Sequence, residues 1–300
     1  MQSKKWKKSG FEGNTAQKQR KSPQRRHEKR ASTKQSRLGG TRSQSAGHQS
    51  ALRASANSYL LWGQHAVEAA LRNPAREIRQ IYTTSEAQDR VMQFIESLPD
   101  ARKMMLPQLH IEARARFDAL SADGNKALHQ QFVLDVCPLE SPDLTDIVYQ
   151  DGALRLLVLD QVTDPRNIGA MLRSARAFGV SAVIMTRRNA PEEGGVLARA
   201  AAGALEDVSI IQVTNLARAL ETMSDYHVHL AGLEAKGDIP LEQLASESRL
   251  AIIMGSEGDG MRRLTRDACD SLVSIPMSDS SESLNVSVAA AIALYATRAP

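Results

Sequence analysis

Six short runs of apolar and β-branched residues recur through the second half of the chain: LRLLVLD, VSAVIMT, DVSIIQV, YHVHLAG, LAIIMG and SLVSIP. Segments with the apolar spacing of helices, such as IGAMLRSARAF and LARALETM, separate them. Strands that are apolar on both faces and alternate with helices form parallel sheets covered on both sides. Residues 153–300 are therefore predicted to form an α/β domain around a parallel sheet.

The segment that opens the chain has a different composition. Residues 1–57 contain 15 Lys or Arg and two acidic residues, so the net charge of +4 conceals a basic N-terminal segment and an acidic remainder. Such a segment has little apolar surface to bury and is predicted to be a disordered arm. Because Lys and Arg displace counterions from phosphates, we expect the arm to attract nucleic acid. A solubilising or targeting extension is the alternative.

Two further segments lie between the arm and the α/β domain. In residues 58–136, strand-like runs such as IRQIYTT alternate with helix-like runs such as VMQFIESL, which is typical of a small α/β domain. Residues 137–152 contain two prolines and several acidic residues and are predicted to be a linker. His129 and Gln130, near the end of the small domain, are candidate RNA contacts.

The sequence also bears on compartment and metal binding. No stretch reaches the roughly 20 apolar residues of a membrane span, and Cys137 and Cys269 lack C-x-x-C spacing. We therefore expect a cytoplasmic protein without a membrane partner, with a mitochondrial transit peptide as the lesser reading of the Arg- and Ser-rich start. His227 and His229 share one strand face, but no third ligand accompanies them, so no metal is expected.

Loops at the carboxyl ends of the strands are where an open parallel sheet usually binds its ligand. The first unusual loop is DPRNIGAMLR, which leaves the strand LLVLD and enters a helix. Asn167 can cap that helix, Gly169 permits close approach of another backbone, and Arg173 lies further along it. Taken alone, this loop fits a plain helix cap with a surface arginine equally well.

Two later loops are rich in glycine or serine. GSEGDG follows the strand LAIIM, and its three glycines form a flexible turn around Glu257 whose amides can hold a ligand. Its order differs from the dinucleotide fingerprint G-x-G-x-x-G. The third loop runs from IPM to SLNVSVAAA, where a strand ends at a proline and a helix of small residues begins. Each of these loops alone is also consistent with an ordinary turn.

The order of the three loops matches one enzyme family. N-x-G-A-x-x-R, G-x-E-G-x-G, and I-P-M followed by S-L-N-V-S-V-A resemble the three motifs of the SpoU (TrmH) family of RNA ribose methyltransferases. The intervening segment RAAAGALEDV is also similar to one in that family. Upstream, WGQHAVEAAL and ADGNKALHQQFV resemble, more weakly, the small RNA-binding domain of its RlmB-type rRNA methyltransferases.

The resemblance implies a SPOUT fold, in which the parallel sheet contains a trefoil knot, and a homodimer with the active site beside its interface. It also implies S-adenosyl-L-methionine as the cofactor. The backbones expected to hold this cofactor belong to Met254, Gly255, Ile275, Met277 and Leu284. The residues expected to form the polar catalytic set are Asn167, Arg173, Glu257, Ser283 and Asn285.

The function implied is methyl transfer from S-adenosyl-L-methionine to a ribose 2′-hydroxyl of RNA, and the RlmB-like segments favour a guanosine of 23S rRNA. Arg173 is the key residue that the resemblance implies. Because a guanidinium keeps its proton in proteins, we expect it to orient the target phosphate and stabilise the developing alkoxide rather than act as a base. The alternatives are a transfer RNA substrate, a non-catalytic RNA-binding or ribosome-assembly protein with the same fold, and a metabolic α/β enzyme.

Overall fold

Two main sheets, one of four strands and one of seven, form the framework of the protein. The computed structural model describes residues 50–122, 125–191, 194–278 and 283–298. Residues 1–49, which make up most of the predicted arm, lie outside the described residues. Both sheets belong to one compact unit, His48–Pro300. Within the described ranges, no helix has the length and apolar composition of a membrane span.

The small sheet has mixed strand directions. Its elements in chain order are β1 (Tyr59–Trp62), α1 (Gln64–Arg72), β2 (Ile78–Thr83), α2 (Gln88–Glu96), α3 (Asp100–Lys103), β3 (Leu109–Ile111), α4 (Arg114–Asp118), β4 (Ser121–Ala122), β5 (Asn125–Lys126) and β6 (Phe132–Val136). The spatial order is β1-β6-β2-β3, with β6 antiparallel to both neighbours and β2 parallel to β3. β4 and β5 pair separately. This alternation of strands and helices agrees with the α/β pattern of the sequence.

The large sheet is built from parallel strands. Its elements in chain order are α5 (Leu144–Val148), β7 (Leu154–Leu159), α6 (Pro165–Ala177), β8 (Ala182–Thr186), α7 (Gly195–Ala201), β9 (Ser209–Val213), α8 (Leu216–Asp225), β10 (His229–Leu233), β11 (Ile239–Pro240), β12 (Arg249–Met254), α9 (Arg263–Asp267), β13 (Ser271–Ser274) and α10 (Val286–Ala296). The spatial order is β11-β13-β10-β12-β7-β8-β9, and all paired neighbours run parallel. The predicted parallel sheet is confirmed, while the trefoil knot stays a prediction.

Successive residues of β7 face two different hydrophobic cores. Leu157 packs in a core that also contains Ile168 of α6, whereas Leu156 packs in a second core with Leu220 of α8. Because side chains alternate across a strand, a strand buried on both faces must be covered by helices on both sides. This explains why β7 is a continuous apolar run in the sequence.

The helix α7 connects the two sheets. A Cβ added to Gly195 of this helix would lie 2.0 Å from the nearest ring atom of Trp62 in β1, so only a glycine admits the indole there. Beyond α7, Glu206 forms an ion pair at 2.8 Å with Arg76, which follows α1. The Arg76 guanidinium also donates to the carbonyl oxygen of Cys137 at 2.7 Å. Apolar and ionic contacts therefore hold the small sheet against α7.

Residues just before β1 also pack against the small sheet. Leu52 is 3% exposed and shares a hydrophobic cluster with Phe117 and Val133. The backbone N–H of Ser55 donates to the carboxylate of Asp135 at 2.9 Å. The chain is therefore anchored from Leu52 onward, within the segment that the charge pattern assigned to the arm.

Candidate active site

A cavity of about 620 Å³ opens where β10, β12 and β13 end. Its volume lies within the roughly 300–1,000 Å³ that is typical of small-molecule sites. Because parallel strands end at the same edge of a sheet, the loops that follow β12 and β13 converge there. Seven of the ten predicted site residues line the cavity: Met254, Gly255, Glu257, Ile275, Met277, Ser283 and Leu284. The second and third motifs therefore build one site.

The loop after β12 is closed on itself by two backbone hydrogen bonds. The N–H groups of Ser256 and Gly260 each donate to the carbonyl oxygen of the other residue at 3.1 Å. Gly258 and Gly260 have φ angles of +99° and +68°, a region that favours glycine. A Cβ added to Gly255 would lie 2.0 Å from the carbonyl carbon of Gly260. The glycines thus fix the tight shape of this cavity wall.

Asp160 holds the far end of the same loop. Its carboxylate is fully buried and accepts hydrogen bonds from the backbone N–H of Arg262 at 2.9 Å and from Nε of Arg262 at 2.8 Å. Its own backbone N–H donates to the carbonyl oxygen of Met254 at 2.7 Å. The motifs and the apolar periodicity of the sequence do not predict this pair. The one signal for it was an isolated acidic residue at the end of the apolar run LRLLVLD.

The first motif opens α6, but Asn167 does not cap the helix. The side chain of Asp164 accepts a hydrogen bond from the N–H of Arg166 at 2.8 Å, and Pro165 takes the first helical position. The prediction that Asn167 is the cap is wrong, because Asp164 already provides the acceptor and Asn167 lies inside the first turn. The side-chain oxygen of Asn167 instead accepts a hydrogen bond from Nδ2 of Asn285 at 3.3 Å.

Asn285 connects this first turn to the cavity. It caps α10, since its side-chain oxygen accepts from the N–H of Ser287 at 2.9 Å. Its chain neighbours Leu284 and Val286 both line the cavity. The hydrogen bond between Asn167 and Asn285 therefore joins the start of α6 to the start of α10 at the edge of the cavity.

Arg173 lies outside the cavity lining. It is exposed on α6 and lies about 9 Å along the helix axis from Asn167, given the rise of 1.5 Å per residue. Its guanidinium has no hydrogen bond or ion pair with any residue that the structure describes. The side chain is consequently available to an external anion.

Gly169 serves the packing of helices. A Cβ added to Gly169 would lie 2.4 Å from the Cβ of Ala200 and 2.8 Å from the backbone nitrogen of Ala201, both in α7. The predicted close backbone approach at Gly169 is confirmed, and its partner is a neighbouring helix. The helix that carries Asn167 and Arg173 is thus pressed against the helix that contacts the small sheet.

Two family models and several named relatives match the chain. Residues 155–295 match the SpoU rRNA Methylase family, and residues 60–142 match the RNA 2′-O ribose methyltransferase substrate binding family. The 23S rRNA (guanosine-2′-O-)-methyltransferase RlmB of Vibrio cholerae is 40% identical over 240 residues, which cover 79% of this chain and 94% of the relative. The chain belongs to the SpoU rRNA methylase family.

Further comparisons place this SpoU family member beside other methyltransferases. The RlmB of Escherichia coli K12 is 38% identical to it over 248 residues, which cover 79% of this chain and 97% of the relative. The SpoU methyltransferase AviRb of Streptomyces viridochromogenes, solved in complex with AdoMet, superposes with a TM-score of 0.68 at 22% identity and covers 81% of this chain and 89% of its own. At that identity the likeness establishes the shared fold.

Cys269 of the SpoU protein lies behind the cavity. A Cβ added to Gly232 of β10 would lie 2.9 Å from the Sγ of Cys269 and 2.6 Å from the Cε of Met261, a residue of the cavity lining. Burial, with a smaller contribution from Asp270, raises the pKa of the Cys269 thiol to about 12. The thiol therefore stays protonated at neutral pH and cannot serve as a nucleophile.

His227 and His229, the two histidines of one predicted strand face, lie in different environments in the SpoU protein. Nε2 of His229 is hydrogen-bonded to the hydroxyl of Ser271 at 2.9 Å. His227 lies in the turn before β10 with a φ of +57°. Across the parts of the chain that the structure describes, no group of three or more His, Cys, Asp or Glu is placed to hold a metal ion.

Proposed function

We propose that this SpoU family protein transfers a methyl group from S-adenosyl-L-methionine to the ribose 2′-hydroxyl of a guanosine in 23S rRNA. The observation that carries the proposal is the convergence of the second and third motifs on one cavity in a chain that matches an rRNA methylase family. The RlmB relatives are named for a guanosine of 23S rRNA, which supports this substrate over transfer RNA.

The cavity has the chemistry that an adenosyl ligand needs. Met277 and Leu284 offer apolar surface, while the backbone of the loop beginning at Gly255 forms the adjoining wall. The space beside Gly258 is open. The residues assigned to this ligand are Met254, Gly255, Ile275, Met277 and Leu284. When bound, S-adenosyl-L-methionine supplies an electrophilic methyl group on its sulfonium centre.

The acceptor oxygen needs activation, because a ribose hydroxyl is a weak nucleophile. Arg173 presents an exposed guanidinium that no described residue engages, which suits it to bind the phosphate beside the target ribose. Since a guanidinium keeps its proton, Arg173 orients the acceptor and stabilises negative charge as it develops on the 2′-oxygen.

The other polar residues of the predicted catalytic set position the acceptor. Asn167 and Asn285 are hydrogen-bonded to each other and so fix α6 relative to the cavity. Glu257 and Ser283 line the cavity and are exposed, which leaves their oxygen atoms available to the ribose hydroxyls. Alignment of the reacting atoms is a large part of catalysis when the methyl donor is already electrophilic.

The exposed face of α10 supports the predicted homodimer. Val288, Ile292 and Tyr295 are 47%, 37% and 54% exposed and are spaced four and three residues apart, which places them on one side of the helix. Ala289 of the same helix lines the cavity. A second copy bound to this face therefore lies beside the active site.

The family matches support the predicted order of segments. They cover residues 60–142 and 155–295, which supports an RNA-binding domain proposed at 58–136 and a methyltransferase domain proposed at 153–300. The linker proposed at 137–152 contains the last six residues of the first match and most of the gap between the two matches. The basic arm at 1–57 adds attraction for phosphates that does not depend on sequence. With ribosomal RNA as the substrate, we infer that the protein acts in the cytoplasm.

A transfer assay tests this function. The purified protein is incubated with methyl-labelled S-adenosyl-L-methionine and unmodified 23S rRNA transcribed in vitro, with transfer RNA transcripts as the control acceptor. We expect the label in one 2′-O-methylguanosine of the 23S rRNA, identified by nuclease digestion and mass spectrometry. Label on a base, or in transfer RNA alone, contradicts the proposal.

A further inference from the structure

A second cavity, of about 310 Å³, lies on the part of the chain that matches the substrate-binding family. It is formed by α1, α2 and the turn before β6, away from the residues of the three motifs. The residues that line it include polar, charged and aromatic side chains: Gln64, Glu68, Arg90, Phe94, Gln130 and Phe132. The volume is at the lower end of the roughly 300–1,000 Å³ range for ligand sites, so it suits a single small planar group.

The chemistry of this cavity fits an unpaired nucleobase. Phe94 and Phe132 provide apolar surface, and the Arg72 guanidinium lies over the Phe94 ring at 4.7 Å from its centroid. Gln64 and Gln130 are exposed at the rim, and each side-chain amide can both donate and accept hydrogen bonds. Unpaired bases of RNA are recognised by stacking on aromatic or guanidinium planes together with hydrogen bonds to their edges.

The charges argue against a phosphate as the occupant. Arg90 contributes one positive charge, but its guanidinium is engaged by the carbonyl oxygen of Gln130 at 2.7 Å. Glu68 contributes one negative charge, and its carboxylate accepts a hydrogen bond from Gln64 at 3.0 Å. The same carboxylate lies 3.7 Å from the Arg72 guanidinium, so this second positive charge already has an anionic partner. A carboxylate in the wall repels a phosphate, whereas it can accept hydrogen bonds from the amino group of a base.

The turn that forms one wall is held in a strained conformation. Gln130 and Gln131 have φ angles of +49° and +61°, a left-handed region that side-chain-bearing residues rarely adopt. The hydroxyl of Thr83 donates to the carbonyl oxygen of Gln131 at 3.1 Å, and the hydroxyl of Thr84 donates to its side-chain oxygen at 2.6 Å. Backbone strain that the surrounding structure enforces is concentrated at functional sites. This turn displays the Gln130 side chain at the cavity rim.

The cavity is also fixed relative to the catalytic helix. Gln64 directly follows Gly63, and a Cβ added to Gly63 would lie 3.2 Å from the Cγ of Arg199 in α7. The same helix α7 packs closely against Gly169 of α6, which carries Arg173. A base held at Gln64 is therefore held at a set distance from Arg173.

We propose that this cavity binds one unpaired nucleobase of the RNA substrate and so holds the RNA on the substrate-binding part of the protein. The inference rests on the proposed function for the identity of the RNA. The cavity contributes to docking of the substrate, because none of the residues assigned to methyl transfer lines it. Loss of such a contact raises the KM for RNA and leaves kcat at saturating RNA unchanged.

Filter binding of the full-length protein to unmodified 23S rRNA transcribed in vitro tests the proposal. Phe94→Ala removes the stacking surface and should weaken RNA binding about 5- to 150-fold. The double variant Gln64→Ala/Gln130→Ala removes both exposed amides at the cavity rim and should weaken RNA binding about fivefold or more. Gln108→Ala, an exposed glutamine of the same sheet region outside the cavity, is the matched control and should bind like the wild type.

Affinity for S-adenosyl-L-methionine should be unchanged in every variant. The proposal is overturned if the double variant binds RNA within twofold of the wild type. If Phe94→Ala does not fold, the test rests on the double variant. A KM for RNA that does not change while kcat falls also overturns it. The binding assay needs no turnover, so failure of the wild type to methylate 23S rRNA contradicts the proposed function separately.

Discussion

Arg76 and Glu206 form a buried ion pair that links the two sheets, with 2.8 Å between Nη2 and Oε1 and side chains that are 1% and 3% exposed. Asn73 donates a further hydrogen bond to the same carboxylate at 2.8 Å. Arg76 and Asn73 follow α1, and Glu206 follows α7, which packs against α6. The pair therefore connects the substrate-binding part of the chain to the helix that carries Arg173.

Replacing Glu206 with Gln should destabilise the protein strongly, because the Arg76 charge then stays buried without its counterion. Breaking a buried pair costs about 3–5 kcal/mol of the free energy of unfolding, measurable by urea titration. Asp207→Asn is the matched control, since the ion pair between Asp207 and Arg176 is about half exposed and contributes at most about 1 kcal/mol. Equal losses in the two variants would contradict a special role for the buried pair.

Gly255→Ala should impair binding of S-adenosyl-L-methionine. The added methyl group would lie 2.0 Å from the backbone of Gly260, so the loop must move. We expect about 1–3 kcal/mol of lost binding free energy by isothermal titration calorimetry. Ser256→Ala in the same loop is the control, because its hydroxyl makes one long contact of 3.5 Å with the Gly260 carbonyl. If Gly255→Ala bound S-adenosyl-L-methionine with wild-type affinity, the loop after β12 would not belong to the cofactor site.

Arg173→Ala should lower kcat by roughly 100- to 1,000-fold, the usual cost of removing one group that stabilises a developing oxyanion. Affinity for S-adenosyl-L-methionine should remain that of the wild type, because Arg173 lies outside the cavity lining. Arg176→Ala, on the same helix but paired with Asp207, is the control and should retain most activity. A large loss of cofactor affinity in Arg173→Ala would contradict the assignment of this residue to binding of the RNA acceptor.

The two cysteines should differ in their reaction with iodoacetamide. With a pKa of about 12, the Cys269 thiol is about one part in 10,000 thiolate at pH 8, and its reactivity should rise about tenfold with each unit of pH. Both cysteines are half-buried, so the raised pKa of Cys269 is the difference that should make Cys137 react first. Mass spectrometry of the labelled peptides measures both rates. Labelling of Cys269 as fast as Cys137 in the folded protein would contradict the raised pKa of Cys269.

The parallel sheet and the cavity were predictable because their signals are local. β7 and β8 are buried on both faces and so appear as continuous apolar runs. The second and third motif loops follow strands of one sheet, and parallel strands end at one edge. The strand pattern therefore predicted that both loops lie at one edge of the sheet, and the family resemblance assigned them to one cofactor pocket. The structure places residues of both loops in one cavity.

The contacts that fix the site were not predictable in the same way, because they join distant segments. Asp160 and Arg262 are 102 positions apart, and Arg76 and Glu206 are 130 positions apart. Periodicity carries no information about such pairs. The error at the start of α6 has a different cause, since Asp164 and Asn167 are both good capping residues. Pro165 was the signal that distinguishes them, because proline favours the first helical position and follows Asp164 directly.

Mapping of ribose methylation on 23S rRNA tests whether this protein methylates a guanosine of that RNA in the cell. RNA is compared from cells that lack this gene and from the same cells supplied with either the wild-type gene or Arg173→Ala. We predict that one 2′-O-methylguanosine of 23S rRNA disappears on deletion, returns with the wild type and does not return with Arg173→Ala. Unchanged ribose methylation of 23S rRNA in the deletion strain would contradict the assignment.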